Sequence, residues 1–259
     1  MENLSVRVWK GRAKVSAQYD QIGVKVADWD VLPVRSEYLE GHTFFKALGS
    51  VQGQSVLDLA CGDGLYTRQF QARGANRVAG VDISEEMIRV AREAEAAQSR
   101  GIEYHVADVA DMAPLGVFDC VTAIYLLHYA HSPEHLLRMC RSIHAHLKPG
   151  GRFVTYTFNP GFSGKGPNST RYGITMLDFP ESPREGQAIS AELHTKTPFT
   201  IHFSHWSQDT YEHALREAGF KHLAWMRPEC SPEGIARYGR EFWQDYLDNP
   251  HAVALRCER

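Results

Sequence analysis

Between residues 55 and 158 the chain alternates short apolar runs with runs that have helical spacing. The apolar runs are SVLDLA, RVAGVDI, IEYHVADV, FDCVTAIYLL and RFVTYTF. Helix signals lie between them; for example, Ser132 can cap a helix whose first turn contains Pro133. Strands that alternate with helices pair in parallel and carry helices on both faces. The sequence therefore predicts an α/β domain with a Rossmann-like sheet, whose ligand site lies beyond the carboxyl ends of the strands.

The segments around this alternating region complete one predicted domain. A helix is expected over residues 34–49, and from Ser207 the pattern returns to helix, strand, helix and strand (SQDTYEHALREAGF, KHLAWMR, PEGIARYGREFWQDYL, HAVALRC). Between them lies a long stretch rich in Gly, Pro, Ser and Thr, which we expect to be a lid over the strand ends. An irregular surface insertion is the alternative. The expected division of the single domain 1–259 is an N-terminal arm and helix (1–49), a core (50–158 and 207–259) and a lid or substrate insertion (159–206).

The balance of charged and apolar residues excludes several classes of partner. The chain has 259 residues, 43% of them hydrophobic, and a net charge of -3, so it can bury a core but lacks the basic excess of nucleic-acid-binding proteins. No window approaches ~18 uninterrupted apolar residues, and the segment MENLSVRVWKGRAK lacks the apolar core of a signal peptide. The five cysteines are scattered without a CxxC pair, which is typical of free thiols in a reducing compartment. We expect a cytoplasmic protein with a small-molecule substrate and no nucleic-acid or membrane partner; the oligomeric state stays open.

Acidic side chains stand at the ends of three successive predicted strands. Asp58 ends the first strand and is followed by Gly62 and Gly64, which let the backbone approach a ligand closely. Asp82 ends the second strand, 24 positions after Asp58 (82 − 58), where a carboxylate can accept both hydroxyls of a ribose. Asp108 ends the third, where it can bind an adenine amino group. Each acid alone could be a helix cap or a turn former, but the three together favour an adenosine-containing ligand.

The charge of the glycine turn indicates which adenosine ligand fits. Asp58 and Asp63 would repel a pyrophosphate, which prefers helix N-termini and positive side chains. S-adenosylmethionine carries a sulfonium and an ammonium and no phosphate, so it suits an acidic turn. A nicotinamide cofactor is less favoured because the turn lacks the full GxGxxG pattern.

Five stretches resemble, in order and spacing, the motifs of class I S-adenosylmethionine-dependent methyltransferases. They are VLDLACGDG, VAGVDIS, HVADV, FDCVTAIYLLHY and LKPGGRF, and they span about residues 50–158. Within that class the chain is most similar to toxoflavin-synthase-type N-methyltransferases, through AQYDQIG, VAGVDISEEMI, DVADMAPLGVFD, RYG and EFW. Ala60 stands where many members have glycine, and the sequence of the expected lid diverges. The resemblance implies a seven-stranded sheet with helices on both faces.

The resemblance also implies a set of cofactor-binding residues. The turn would hold the methionine part of the cofactor, Asp82 the ribose and Asp108 the adenine edge, while Arg35 could meet the methionine carboxylate or form a surface ion pair. The full set is Tyr19, Arg35, Asp58, Ala60, Cys61, Gly62, Gly64, Asp82, Ile83, Met87, Asp108, Val109, Tyr125 and Leu126.

Methyl transfer mainly needs a nucleophile held in line with the S–CH₃ bond in a dry site. His128, just past the fourth strand, is the candidate general base, although it could equally be an ordinary buried histidine. The candidate substrate-binding residues, whose alternative role is packing within the lid, are Tyr156, Asn159, Tyr172, His205 and Trp206. His131 precedes the helix that carries His135, so we expect no metal site from this histidine cluster.

The expected function is methyl transfer to a nitrogen or oxygen of a small, heteroaromatic secondary metabolite. Three alternatives stay open: a lyase or cyclase that releases methylthioadenosine, a nicotinamide oxidoreductase, and a protein that binds S-adenosylmethionine without turnover.

Overall fold

A computed structural model of the chain describes residues 18–20, 32–35 and 38–259. The expected arm over residues 1–20 lies outside the described residues except for 18–20. Of the expected helix over 34–49, residues 36 and 37 are not described, and 34, 35, 38 and 39 form turns instead. Within the described part, that helix begins at Glu40 and ends at Leu48 (α1), followed by the expected stop at Gly49.

The alternating region forms the predicted doubly wound sheet. Its strands are Ser55–Leu59 (β1), Arg77–Asp82 (β2), Glu103–Val106 (β3), Phe118–Ile124 (β4) and Leu147–Phe158 (β5), and the intervening helices are Leu65–Ala72 (α2), Glu85–Ala97 (α3) and Pro133–Ala145 (α4). The side chains of Ser84 and Ser132 accept hydrogen bonds from the first turns of α3 and α4, as expected for N-caps.

The main sheet has seven strands, and its last two are Lys221–Met226 (β9) and Ala252–Glu258 (β10). The strands lie in the order β3-β2-β1-β4-β5-β10-β9. The first five pair in parallel, whereas the closing strand β10 runs antiparallel to both β5 and β9. Helix Gln208–Ala218 (α5) directly precedes β9 in the chain. The carboxyl ends of β1, β2 and β4 consequently meet at one edge, where the strand order changes direction.

Two separate apolar clusters show that helices cover both faces of the sheet. On one face, Phe44, Phe70 and Ile88 of α1–α3 pack with Val56. On the other, helices α4 and α5 pack with Leu57, the next residue of β1. All five residues of β1 are buried, as expected for a central parallel strand.

The insertion after β5 is more regular than its composition indicates. It forms a second, antiparallel sheet of three strands: Ile174–Leu177 (β6), Ala188–Leu193 (β7) and Phe199–Ser204 (β8). Alternate residues of this sheet, among them Leu193 and Phe203, bury their side chains in a third apolar cluster with Phe158 and Trp243. The sequence analysis missed these strands because their short period-2 pattern is interrupted by many turn-forming residues.

The run expected as one helix near the C-terminus is two helices. Pro232–Tyr238 (α6) and Arg240–Asp248 (α7) are separated by Gly239, whose φ of 82° is unsuited to continuing a helix. Among the described residues, no helix combines the length and the apolar character needed to span a bilayer.

Tyr172 of the insertion packs against α7 and forms hydrogen bonds with its backbone. Its ring is fully buried and stacks on Trp243, with centroids 5.9 Å apart. Its hydroxyl donates to the Phe242 carbonyl at 2.6 Å and accepts from the Tyr246 N–H at 3.2 Å. The side chain is therefore bound to the helix backbone and unavailable to a ligand.

We expect Tyr172→Phe to lower the free energy of unfolding by about 1 kcal/mol, because two buried backbone groups lose their shared partner. S-adenosylhomocysteine affinity should stay at the wild-type value. Denaturant unfolding and calorimetry measure the two quantities, and Tyr238→Phe, at a 37% exposed tyrosine, is the control. Unchanged stability together with weaker ligand binding would contradict this structural role.

Candidate functional site

A deep cavity opens at the carboxyl ends of β1, β2 and β4. The empty space of this cofactor cleft, with its opening to solvent included, is about 1230 Å³. It is lined by every residue expected to bind the cofactor except Gly64, namely Tyr19, Arg35, Asp58, Ala60, Cys61, Gly62, Asp82, Ile83, Met87, Asp108, Val109, Tyr125 and Leu126. The structure thus brings together residues that are spread over more than one hundred positions of the sequence; their binding roles stay predictions.

The two glycines of the turn after β1 have different roles. Ala60, Gly62 and Gly64 all have positive φ, at 54°, 56° and 82°. A Cβ added to Gly62 would meet no atom within 4 Å, so this glycine borders open space in the cleft. A Cβ at Gly64 would collide with the Tyr104 ring. Gly64 does not line the cleft, and its φ of 82° and its packing against Tyr104 are enough to explain a glycine there; its binding role stays a prediction.

Asp82 joins the first two strand–helix turns. One carboxylate oxygen accepts from the Gly62 N–H and the other from the Ser84 N–H, both at 2.9 Å. Burial raises the pKa of this carboxyl, while these backbone bonds act in the opposite direction. Each oxygen keeps a further lone pair, so the carboxylate can still accept hydroxyl groups from a ribose. This arrangement and the open space at Gly62 fit the adenosine cofactor expected from the sequence.

Asp58 lies deeper in the cleft and is 2% exposed. Its carboxylate accepts from the hydroxyls of Thr67 at 2.6 Å and Thr122 at 2.9 Å. Burial raises the pKa of Asp58 to about 7, although the two hydroxyls favour the charged form. A cation bound nearby, such as the ammonium of the cofactor, would favour ionisation of this group near neutral pH.

The opposite end of the cleft carries the expected adenine-binding residue. Asp108 accepts from the Ala110 N–H at 2.9 Å, which holds the carboxylate at the turn. Two histidines that the sequence analysis had separated also line this end: the rings of His131 and His135 lie 4.0 Å apart. Over residues 18–20, 32–35 and 38–259, no group of three or more His, Cys, Asp or Glu side chains is arranged to hold a metal ion.

A buried carboxylate that the sequence analysis missed organises the wall of the cleft. Glu40 is fully buried in α1 and accepts from Arg35 at 2.8 Å, from Tyr66 at 2.9 Å and from Tyr125 at 2.8 Å. The expected interaction of Arg35 with a surface acid is therefore a buried ion pair instead. Its guanidinium still borders the cleft, where it could also meet a ligand carboxylate.

Tyr125 follows β4 in a conformation that bulky residues rarely adopt. Its φ is 61°, and its hydroxyl is held by Glu40 and lies 3.4 Å from the His251 ring. This turn aims the ring at the boundary of the cleft. Nearby, the Tyr19 hydroxyl pairs with that of Tyr129 at 2.5 Å, so the N-terminal turn closes over the same boundary.

A smaller second cavity, of about 420 Å³, adjoins the cofactor cleft beneath the insertion sheet. The two cavities share Arg35, Tyr125 and Tyr129 as walls. The remaining lining residues of the second cavity are Val34, His128, Phe158, Ile174, Met176, Leu193, Ile201, Phe203 and His251. A molecule held there would lie next to the end of β4.

His128 lines the second cavity, but its environment weakens the expected role as a base. The ring is 2% exposed, and its Nδ1 lies 3.1 Å from the Thr157 hydroxyl. Burial lowers the pKa of His128 to about 3. A general base works best with a pKa near the operating pH, so this neutral ring is better suited to orienting a ligand than to removing a proton.

The five candidate substrate-binding residues line neither cavity, and each has another structural role. Tyr156 is fully buried behind Tyr125, and Tyr172 is bound to α7. Trp206 donates to the Ala130 carbonyl at 3.2 Å within the core, and His205 is 4% exposed. The Asn159 amide donates to the Pro250 carbonyl at 2.8 Å. The prediction relied on aromatic and polar residues in or beside the expected lid, but these side chains are buried within the protein.

Apart from Arg35, Tyr125 and His128, which were singled out for other roles, the residues that line the second cavity carried almost no sequence signal. Met176 and Ile201 stand in strands that were not expected, and His251 precedes β10 far along the chain. Tyr129 follows His128 directly in the motif after β4.

Comparison with known proteins is consistent with this geometry. Residues 56–151 match the family model of a methyltransferase domain. These residues, which carry the strand-end acids and the glycine turn of the cofactor cleft, are similar to that domain. A ubiquinone biosynthesis O-methyltransferase of Idiomarina loihiensis is 35% identical over 130 residues, which cover 49% of each chain. Another of that name, from Neisseria meningitidis serogroup C, is 30% identical over 58% of each chain.

Solved structures extend the likeness in fold to most of the chain. An S-adenosylmethionine-dependent methyltransferase from Mesorhizobium loti superimposes with a TM-score of 0.62 at 21% identity, covering 89% of this chain and all of the other. The expected fold class is thereby confirmed. The match to the methyltransferase-domain model also agrees with the expected enzyme class and with S-adenosylmethionine as its cofactor. The chain spans about half the length of the curated relatives it matches, so the activity and acceptor of the whole protein are proposals.

The glycine turn allows a matched pair of substitutions. We expect Gly62→Ala to weaken S-adenosylhomocysteine binding by at least about tenfold (about 1.4 kcal/mol), because its methyl group enters open space needed by the ligand. Gly64→Ala should instead lower the free energy of unfolding by roughly 1–3 kcal/mol through overlap with Tyr104. Calorimetry and denaturant unfolding separate the effects. If both variants lost mainly affinity, the assignment of Gly64 to packing would be wrong.

The raised pKa of Asp58 predicts a pH effect on ligand binding. At pH 6 the carboxyl is mostly protonated, and a bound ammonium favours the ionised form, so binding releases a proton. S-adenosylhomocysteine should therefore bind up to about tenfold more tightly at pH 8 than at pH 6. Asp58→Asn is the control, because it removes this ionisation and should flatten the difference measured by calorimetry. Equal wild-type affinities at the two pH values would place the ammonium elsewhere.

Proposed function

We propose that the protein transfers a methyl group from S-adenosylmethionine to a nitrogen or oxygen of a small, heteroaromatic secondary metabolite. The observation that carries this proposal is the junction of the two cavities at Arg35, Tyr125 and Tyr129. When bound, S-adenosylmethionine supplies an electrophilic methyl group. The end of β4 is where the cofactor sulfonium is expected, and the second cavity opens beside it.

Positioning and exclusion of water would supply most of the catalysis. Holding a nucleophile at near-attack distance can account for about 7–11 kcal/mol of a barrier. Tyr125 is well suited to a positioning role, because its hydroxyl bond to Glu40 and its unusual backbone fix the ring at the junction. Tyr19 and Tyr129 close the junction from the side of the N-terminal turn.

The insertion, residues 159–206, supports a small acceptor in place of a polymer. Its sheet packs over the second cavity, and Met176, Ile201 and Phe203 form the cover. A cavity enclosed in this way can surround a ring compound, whereas a protein or nucleic-acid chain would need an open groove. The net charge of -3 also disfavours a phosphate backbone. We propose that the insertion is the substrate-binding part of a single-domain protein that acts in the cytoplasm.

The comparisons are compatible with methylation of either an oxygen or a nitrogen. The partial relatives are named as O-methyltransferases of ubiquinone biosynthesis, which favours a ring hydroxyl. The closer sequence resemblance described above favours a ring nitrogen. Nitrogen can attack as a neutral lone pair, whereas a hydroxyl reacts best after losing its proton, and the buried His128 is a weak base for that step.

Purified protein incubated with S-adenosylmethionine and a panel of small heteroaromatic amines and phenols tests the proposal. We expect S-adenosylhomocysteine and an acceptor heavier by one methylene unit, with no product from tRNA or protein acceptors. Mass spectrometry identifies both products. Methylthioadenosine as the product would favour the lyase alternative, and methylation of a polymer alone would overturn the acceptor class. Cofactor binding without turnover on any acceptor would favour the non-catalytic alternative.

A further inference from the structure

The walls of the second cavity come from two different parts of the fold. On the side of the insertion they are apolar: Phe158, Ile174, Met176, Leu193, Ile201 and Phe203. On the side of the cofactor cleft, Tyr125, His128 and His251 supply the few polar atoms. An apolar wall facing a small number of polar groups is typical of a site that holds a ring by its faces and orients it by its edge.

Among the described residues that line this cavity, Arg35 alone has a permanent charge, and that charge is compensated. Its guanidinium donates to the fully buried Glu40 carboxylate at 2.8 Å. The two histidines are 2% and 3% exposed, and burial lowers the pKa of both His128 and His251 to about 3, so both are neutral at pH 7. The described lining therefore offers an anion no uncompensated positive charge.

A carboxylate or phosphate placed there would lose its hydration and meet only neutral hydrogen-bonding groups and an arginine whose charge is already paired with Glu40. The effective penalty for burying an ion in a protein is several kcal/mol unless good geometry and hydrogen bonds offset it. An uncharged ring avoids this penalty and gains contact with the aromatic side chains of Tyr129, Phe158 and Phe203. The empty space of about 420 Å³ includes the opening of the cavity towards solvent, so the enclosed part suits only a compact, flat ring.

We propose that the second cavity is the acceptor site and that it selects an uncharged, mainly apolar ring compound against anionic compounds of the same shape. This inference rests on the proposed function, because it assumes that the neighbouring cleft holds the cofactor. The geometry assigns selectivity to the insertion sheet, which provides the apolar wall, and orientation to the edge formed by Tyr125 and the two histidines.

The methionines of the chain report on the two cavities separately. Met87 and Met139 line the cofactor cleft, whereas Met176 lines the second cavity. In protein labelled with ¹³C at its methionine methyl groups, S-adenosylhomocysteine should shift the NMR signals of Met87 and Met139. Quinoline, added as a neutral probe to protein saturated with S-adenosylhomocysteine, should shift the signal of Met176. Quinoline-2-carboxylate should bind at least tenfold more weakly than quinoline.

Two variants on the same strand provide the matched comparison. Met176→Trp fills the second cavity and should abolish quinoline binding while leaving S-adenosylhomocysteine affinity unchanged. Leu177→Trp is the control, because the neighbouring residue on a strand faces the other way and Leu177 is 36% exposed. This variant should bind both compounds as the wild type does. Thermal unfolding checks that each variant is folded.

The possible failures are distinguishable. If S-adenosylhomocysteine shifted neither Met87 nor Met139, the proposed function would fail at its cofactor site. If those signals moved but quinoline left Met176 unchanged, the inference would be overturned while the cofactor site stood. Equal affinity for quinoline and its carboxylate would overturn the selection against anions, and the wild-type spectra decide this even if Met176→Trp does not fold.

Discussion

The arrangement of the site depends on one buried carboxylate, that of Glu40. A carboxylate removed from water must have partners, and this one is held by a guanidinium and two tyrosine hydroxyls from three parts of the chain. Removing one member of a buried ion pair typically costs about 3–5 kcal/mol. The need to satisfy Glu40 therefore fixes Arg35 and Tyr125 together, and these two residues form the boundary between the cofactor cleft and the second cavity.

Asp82 has a comparable role at the other side of the cleft. By accepting from the Gly62 and Ser84 N–H groups, it holds two strand–helix turns at a constant separation before any ligand is bound. The same carboxylate is the group expected to receive the ribose hydroxyls. A site arranged in this way needs little reorganisation on binding, which favours affinity by lowering the entropy that binding costs.

Local patterns were enough to predict most of the core and the cofactor cleft. Asp58, Asp82 and Asp108 were recognised as strand-end residues, and the parallel pairing of those strands brings the ends to one edge whatever the details of packing. The cap at Ser132 was predicted because a hydroxyl there meets the first turn of its own helix, and Ser84 and Ser207 cap their helices in the same way. Gly64 shows the limit of such reasoning: the sequence indicated a glycine turn, but only the structure shows that a side chain at this position would also overlap Tyr104.

The sequence by itself determined the doubly wound sheet, the acidic and glycine-rich turns and hence the class of cofactor, because these follow from periodicity and from residues close together along the chain. Only the tertiary structure decided what surrounds an acceptor. The walls of the second cavity extend from Val34 to His251 and include strands that composition concealed, while the aromatic residues nearest to β5 in sequence point into the core. Such a surface depends on which side chains converge from distant segments, and neither periodicity nor local spacing carries that information.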